Sequence, residues 1–331
     1  QMSQPGHTEA APDPPSTTRR ALHIVAAVLV GVVLPVALVD TLVGHFAANA
    51  LGLALFLGVV GSMIGGTRRM VYLAVPFAVA GGLGAFTAYD WWWVGLLTLL
   101  GVVAGAGIRW GWLPPLLMLP FIATFASPVS SGRHAVAYGI YAGIGLLYGV
   151  VLARRFKAPA AVEGQRLSVP AAVAVAAVMG IALCGTAAIG VALGWTEPYW
   201  VPEPILILTL YILMGKRERI REKALATTVG VVVAVPVAIV APPTWAISVI
   251  ATAAFVLALT QYKKSYWRYY SLFTFALVLA LSPPGHVGAE AAQRGSEILI
   301  GIGVLVVGLG VLHALGRWLA KREPVPVLAE S

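Results

Sequence analysis

Long apolar runs alternate with short basic stretches along this whole chain, and that alternation constrains it more than any other feature. A helix that crosses a bilayer needs about 20 mostly apolar residues. Twelve runs approach that length: 21–43, 46–66, 70–89, 91–108, 111–128, 134–153, 169–194, 199–215, 224–241, 244–261, 269–283 and 295–316. The connections are short, so neighbouring runs should pack as antiparallel hairpins. Composition agrees: 59% of the residues are hydrophobic, 11% are charged, and the mean hydropathy is +0.88. A soluble domain is about 45–50% apolar and about 25% charged. The surplus cannot be hidden in a soluble core, so the expected fold is an all-α integral membrane protein of about twelve transmembrane helices.

The positions of Lys and Arg give the expected orientation. With the N-terminus cytoplasmic, 20 of the 22 basic residues fall on inside segments, and only Arg133 and Arg294 fall outside. Removing one run would invert every later loop. The formal charge of +9 is thereby explained as a topology signal and not as a nucleic-acid surface. The expected location is a plasma (inner) membrane of bacterial type, multi-pass, with both termini cytoplasmic. The segment 216–223 is read as a cytoplasmic basic loop, from which the chain turns back through Thr227 and Gly230. Residues 1–18, rich in Pro, Ser, Thr and Asp, are expected to be a disordered tail, and no cleavable leader is read before the first run.

The chain also reads as duplicated. A first six-span repeat covers 19–157, a cytoplasmic linker 158–168, a second repeat 169–318 and a short tail 319–331. The second run of each half ends in Gly and basic residues, Gly66-Thr67-Arg68-Arg69 and Gly215-Lys216-Arg217. The fifth ends in Ser-Pro, Ser127-Pro128 and Ser282-Pro283. The sixth opens with the lone outside arginine, Arg133 or Arg294. Gly139/Gly143 and Gly145/Gly149 have the four-residue spacing of close helix packing.

Enzymatic chemistry finds little support. The six histidines are scattered, and the sole cysteine, Cys184, lies in an apolar run, so no disulfide or metal motif forms. No phosphate-cradling glycine loop and no Gly-x-Ser-x-Gly elbow is present. No cofactor is expected. Ionisable residues in or near the runs remain, and intramembrane charges are functional candidates by default. Glu203 stands between Pro202 and Pro204, which disfavour regular helix before them. It is either a coupling or gating acid beside a cavity or an interfacial carboxylate capping a helix. Arg133 and Arg294 either attract an anion at the outer end of a pathway or pair with an acid such as Glu290, Glu297 or Asp90. Asp40 is either interfacial or pathway-lining. Trp91, Trp92, Trp93, Trp195, Tyr199, Trp200 and Trp245 are expected mainly as an interfacial belt, with an aromatic vestibule as the alternative.

Several motifs of the second half carry a resemblance. Tyr199-Trp200 opens an apolar run, a basic stretch follows, and then comes Lys223-Ala224-Leu225-Ala226-Thr227-Thr228-Val229-Gly230. Ser265-Tyr266 precedes a later run, and Arg294, Glu297, Ile298 and Gly301 close the pattern. Over about 195–310 this resembles the fusaric acid resistance-like family of the aromatic acid exporter superfamily, to which aluminium-activated malate channels are related. Lys223 stands where the family pattern has arginine, and Ala226 where it has glycine. The resemblance implies a membrane transporter of organic, often aromatic, acids, with Arg133, Arg294, Glu203, Tyr199, Trp200, Glu297 and Thr227 as candidate substrate-binding residues. The expected function is export of small organic acids or amphipathic compounds, with proton coupling an open point. An anion-selective channel of the same fold and a non-transporting envelope scaffold or lipid-handling protein are the alternatives. Expected partners are a small organic anion or aromatic substrate and membrane lipids, with no nucleic acid; a homo-oligomer is left open.

Overall fold

A computed structural model describes residue 31 and residues 33–155, 166–195, 197–213, 218–240, 244–261, 265–281 and 287–322. The tail 1–18, positions 158–165 of the linker and positions 323–331 lie outside these. All regular elements among the described residues are helical. The first half contains α1 (Leu34–Leu42), α2 (His45–Gly65), α3 (Thr67–Tyr72), α4 (Ala74–Thr87), α5 (Trp91–Ala106), α6 (Leu113–Leu116), α7 (Met118–Thr124) and α8 (Gly132–Arg155). The second contains α9 (Val169–Ala192), α10 (Glu203–Leu213), α11 (Glu218–Ile239), α12 (Thr244–Gln261), α13 (Tyr266–Leu281) and α14 (Val287–Arg322). Helices α2, α8 and α9, and α5 continued by a 3-10 turn to Trp110, are long and apolar enough to cross a membrane. The chain is a multi-pass membrane protein.

Several segments are shorter than the sequence suggests, for local reasons. The run 111–128 carries Pro114, Pro115 and Pro120 and forms two short pieces, α6 and α7. A proline lacks the N–H that continues a helix and clashes with the preceding turn. In the run 199–215 only Pro198–Trp200 as a 3-10 turn and α10 are helical. Eleven residues rise about 16 Å, half of a bilayer's hydrocarbon thickness. In contrast, α11 begins at Glu218 and runs unbroken past Thr227 and Gly230. The expected turn at those residues is therefore corrected: Glu, Arg, Lys and Ala here are good helix formers, and nothing in 218–230 stops the helix.

The two ends of the bundle differ in chemistry. At one end the Arg69 guanidinium donates to the Gly111 carbonyl at 2.7 Å and lies over the Trp112 ring, and Arg109 donates to the Leu167 carbonyl at 3.3 Å. At the other, the Val129 N–H donates to the Ala85 carbonyl, and Asp90 caps α5 by accepting from the Trp92 and Trp93 N–H groups at 2.7 and 3.1 Å. An aromatic cluster at this end joins the halves, with Tyr199 against Tyr89 (6.1 Å), Phe125 (5.5 Å) and Trp200 (5.2 Å). Burial raises the Tyr89 phenol above its ordinary range, and nearby Glu197 adds to this.

The aromatic belt is smaller than expected. Trp91 and Trp92 are exposed, but Trp93 is fully buried and its Nε1–H donates to the Ala123 carbonyl at 2.9 Å. Trp200 is also buried, its Nε1–H donating to Glu197 at 2.9 Å. Both rings point into the seam between elements, where the indole N–H finds an acceptor. Asp40 is exposed and pairs with exposed His45 at 3.3 Å.

Small residues bring the helices together. Helix α8 packs against α2 and α4, and both α4 and α5 pack against α7. A Cβ added at Gly139 would stand 2.6 Å from the Ala78 carbonyl oxygen of α4, and one at Gly149 would strike the Leu55 carbonyl of α2. In the second half α14 packs against α10 and α11, and both α11 and α12 pack against α13. The halves meet where α5 packs on α9 and α7 on α10, around one apolar core that contains residues of both.

Candidate functional site

The path to the site starts where α9 ends. Gly190 of α9 lies against Pro198, and the Thr209 hydroxyl of α10 lies 3.9 Å from the Met179 sulfur. These two contacts make 198–209 antiparallel to α9 and place Glu203 level with about residue 185, roughly 10 Å inside the end of that helix. The backbone before it is irregular, yet Trp200, Val201 and Pro202 are buried. Irregular backbone at depth is tolerated when protein covers it. Glu203 itself is only 5% exposed, so protein covers its carboxylate at the start of α10.

Its partner is Lys223. The ammonium nitrogen donates to both carboxylate oxygens of Glu203, at 3.0 and 3.2 Å, and stands 5.0 Å from the centre of the Tyr270 ring of α13. Lys223 is completely buried. Taking two charges out of water costs several kcal/mol per ion, and only close pairing with further polar contacts offsets it. One turn along α11, on the same face, lies Thr227. It too is completely buried, and its hydroxyl has no hydrogen-bond partner among the described residues. Gly230 continues that face. A Cβ there would stand 2.7 Å from the Ser271 carbonyl oxygen and 2.8 Å from Thr274, both on α13. Ser271 and Thr274 are buried as well. Behind Tyr270 the rings of Tyr266 and Phe273 follow at 5.7 and 5.9 Å.

Glu297 of α14 is the second buried carboxylate and accepts from the Gln293 side-chain amide at 2.8 Å. Gly301, one turn further, receives Val201 and Pro204 against its open face, which ties α14 to the start of α10. Glu203 and Thr227 thus lie together on the α10–α11 contact, with Glu297 on the helix packed against both. Tyr199 and Trp200 belong to the aromatic seam that leads into Glu203. Arg133 is exposed at the start of α8 and makes no ion pair among the described residues. Asp90, one suggested partner for it, is engaged as the cap of α5. Arg294 lies on α14, and its side chain, like that of Glu290, is outside the described residues.

Lys223 is the site residue that sequence reasoning missed. Its place at the end of a run of basic residues gave it a topological role, and burial overturns that. The signal lay in its helical register: Lys223, Ala226, Thr227, Gly230 and Ala234 share one face, and all five are buried. A face otherwise made of small residues marks a contact surface, and a lysine on it needs a partner acid.

Residues 183–308 match the profile of a protein family described as fusaric acid resistance protein-like. No curated protein matches the chain, and no solved structure does. The matched stretch begins within α9, ends within α14, and contains Glu203, Lys223, Thr227 and Glu297.

Proposed function

We propose that this protein is a membrane transporter that exports small organic acids, aromatic ones in particular. The observation that carries the reading is the buried Glu203–Lys223 pair within the family-matched stretch. A charge in an apolar helical bundle is costly, and such charges mark substrate and ion pathways. The discontinuous second segment of this half, a 3-10 turn followed by a short helix, supports the same reading, because broken helices at depth form the substrate sites of many transporters. Glu203, Thr227 and Glu297 form the interior part of the proposed site. Tyr199 and Trp200 position the segment that leads to it. Arg133 and Arg294 are proposed to attract anions at the outer end.

The recurrence of packing partners supports two six-helix repeats: sixth on second and third, third and fourth on fifth, in each half. The end carrying Arg69 and Arg109 is proposed as cytoplasmic. Purified protein in liposomes loaded with radiolabelled benzoate tests the function. Saturable efflux above that of protein-free liposomes is the expected result. Large unitary currents would assign a channel instead, and no flux of any aromatic or aliphatic acid would remove the transport reading.

A further inference from the structure

We propose that Lys223 is the docking cation for the substrate carboxylate, and that Glu203 is its resident occupant in the empty protein. This rests on the transport reading above and adds to it a ligand group, a contact residue and a proton count. A bidentate carboxylate already sits on the ammonium, with Nζ–O distances of 3.0 and 3.2 Å. The position is thus built to hold a carboxylate. Thr227, one turn away on the same face, offers a fully buried hydroxyl with no partner among the described residues. Buried polar groups are normally hydrogen-bonded, and an exception calls for an explanation; a second donor to an arriving carboxylate supplies one. The ring of Tyr270 lies 5.0 Å from the same nitrogen, with Tyr266 and Phe273 behind it. A carboxylate held on Lys223 therefore carries its substituent among aromatic faces, which favours an aromatic monocarboxylate.

Charge balance fixes the rest. In the empty site Lys223 and Glu203 neutralise one another. An anion that takes Lys223 leaves Glu203 as an unpaired carboxylate in a buried place, which is strongly disfavoured. Glu203 therefore takes up one proton from water as the anion binds, and the site holds an ammonium, the anion and a neutral acid. The ionisable groups on the elements around it include Glu297 of α14, Tyr266, Tyr269 and Tyr270 of α13, Glu222 of α11, and Glu197 and Tyr199 of the preceding turn. Of these only Glu297 and Glu203 are buried carboxylates, and only Glu203 is bonded to the lysine. The proton thus enters the site together with the anion, and loading leaves the site's charge unchanged.

Calorimetric titration of the full chain in detergent with benzoate, in two buffers of different ionisation enthalpy, counts the protons. The wild type is expected to take up about one proton per benzoate near neutral pH. In Glu203→Gln the buried Lys223 has no counter-ion and rests as the neutral amine, so benzoate binding should again take up about one proton, now onto Lys223. Lys223→Met alone strands an acid and can fail to fold, so the matched Glu203→Gln/Lys223→Met variant is the stronger test. It should retain a cooperative melt and lose about tenfold to a hundredfold in benzoate affinity. Unchanged affinity in that double variant overturns the proposal, as does benzoate binding by the wild type with no proton uptake. If that variant still exports benzoate from liposomes at the wild-type rate, the transport reading stands and the docking cation lies elsewhere. If wild type neither binds nor exports benzoate or salicylate, both fall.

Discussion

The two halves of this molecule solve the same packing problem with different interiors. In each, the last helix lies on the second and third segments, and the third and fourth lie on the fifth. In the first half the contact between the second segment and the last helix is neutral: the Tyr138 hydroxyl donates to Asn49 Oδ1 at 3.0 Å, and glycines close the remaining distance. In the second half the corresponding region is charged. All three buried ionised-type side chains among the described residues, Glu203, Lys223 and Glu297, lie there. Dispersion between closely packed small residues is enough to hold membrane helices together. The charges of the second half are therefore not needed for the architecture. A group kept at an energetic cost that the sister region avoids is the best candidate for function.

Substitutions can break this comparison, and the largest effect belongs to the ion pair. Lys223→Met should destabilise the protein by about 3–5 kcal/mol, because it leaves a buried carboxylate without its partner. Adding Glu203→Gln should recover most of that loss. Thermal unfolding in detergent, read by tryptophan fluorescence, measures both, and a fully stable single variant would show that the acid is not held in a dry site. Next comes the glycine seam of the first half. Gly149→Leu drives a side chain into the Leu55 carbonyl and should cost about 1–3 kcal/mol or more. Gly185→Ala, with open space around it, should be neutral in the same assay.

Tyr138→Phe removes a neutral hydrogen bond and should cost about 0.5–1.5 kcal/mol, while the pH dependence of flux stays as in wild type. A pH profile altered by this change would blur the division between the halves. The smallest effect on stability belongs to Arg133→Gln, within about 0.5 kcal/mol because the side chain is exposed. If Arg133 attracts anions, this variant should nevertheless raise the substrate concentration needed for half-maximal efflux, with Arg133→Lys intermediate. Unchanged concentration dependence in Arg133→Gln would remove that role.

Much of this was legible in the sequence. Apolar runs separated by basic loops gave the helical class, and those loops meet where expected, through Arg69 on Gly111 and Arg109 on Leu167. The prolines around Glu203 announced an irregular approach, and the helix does begin there. What stayed hidden depended on rotational phase. Trp93 and Trp200 have the composition of belt residues, and only the direction in which each ring points decides that they are buried. Lys223 ends a run of basic residues typical of a cytoplasmic loop, yet α11 starts five residues earlier and turns it inward against Glu203. A hydropathy pattern reports where a helix is apolar, but it does not report which neighbour an isolated charge faces.

The central claim is that transport runs through the Glu203–Lys223 site of the second half. The direct test is benzoate efflux from liposomes containing wild type, Glu203→Gln/Lys223→Met, or Tyr138→Phe, at equal protein content and with unfolding midpoints checked. The account predicts that efflux falls to the protein-free rate in the charge-pair variant and continues near the wild-type rate in Tyr138→Phe. Wild-type efflux from the charge-pair variant would contradict it.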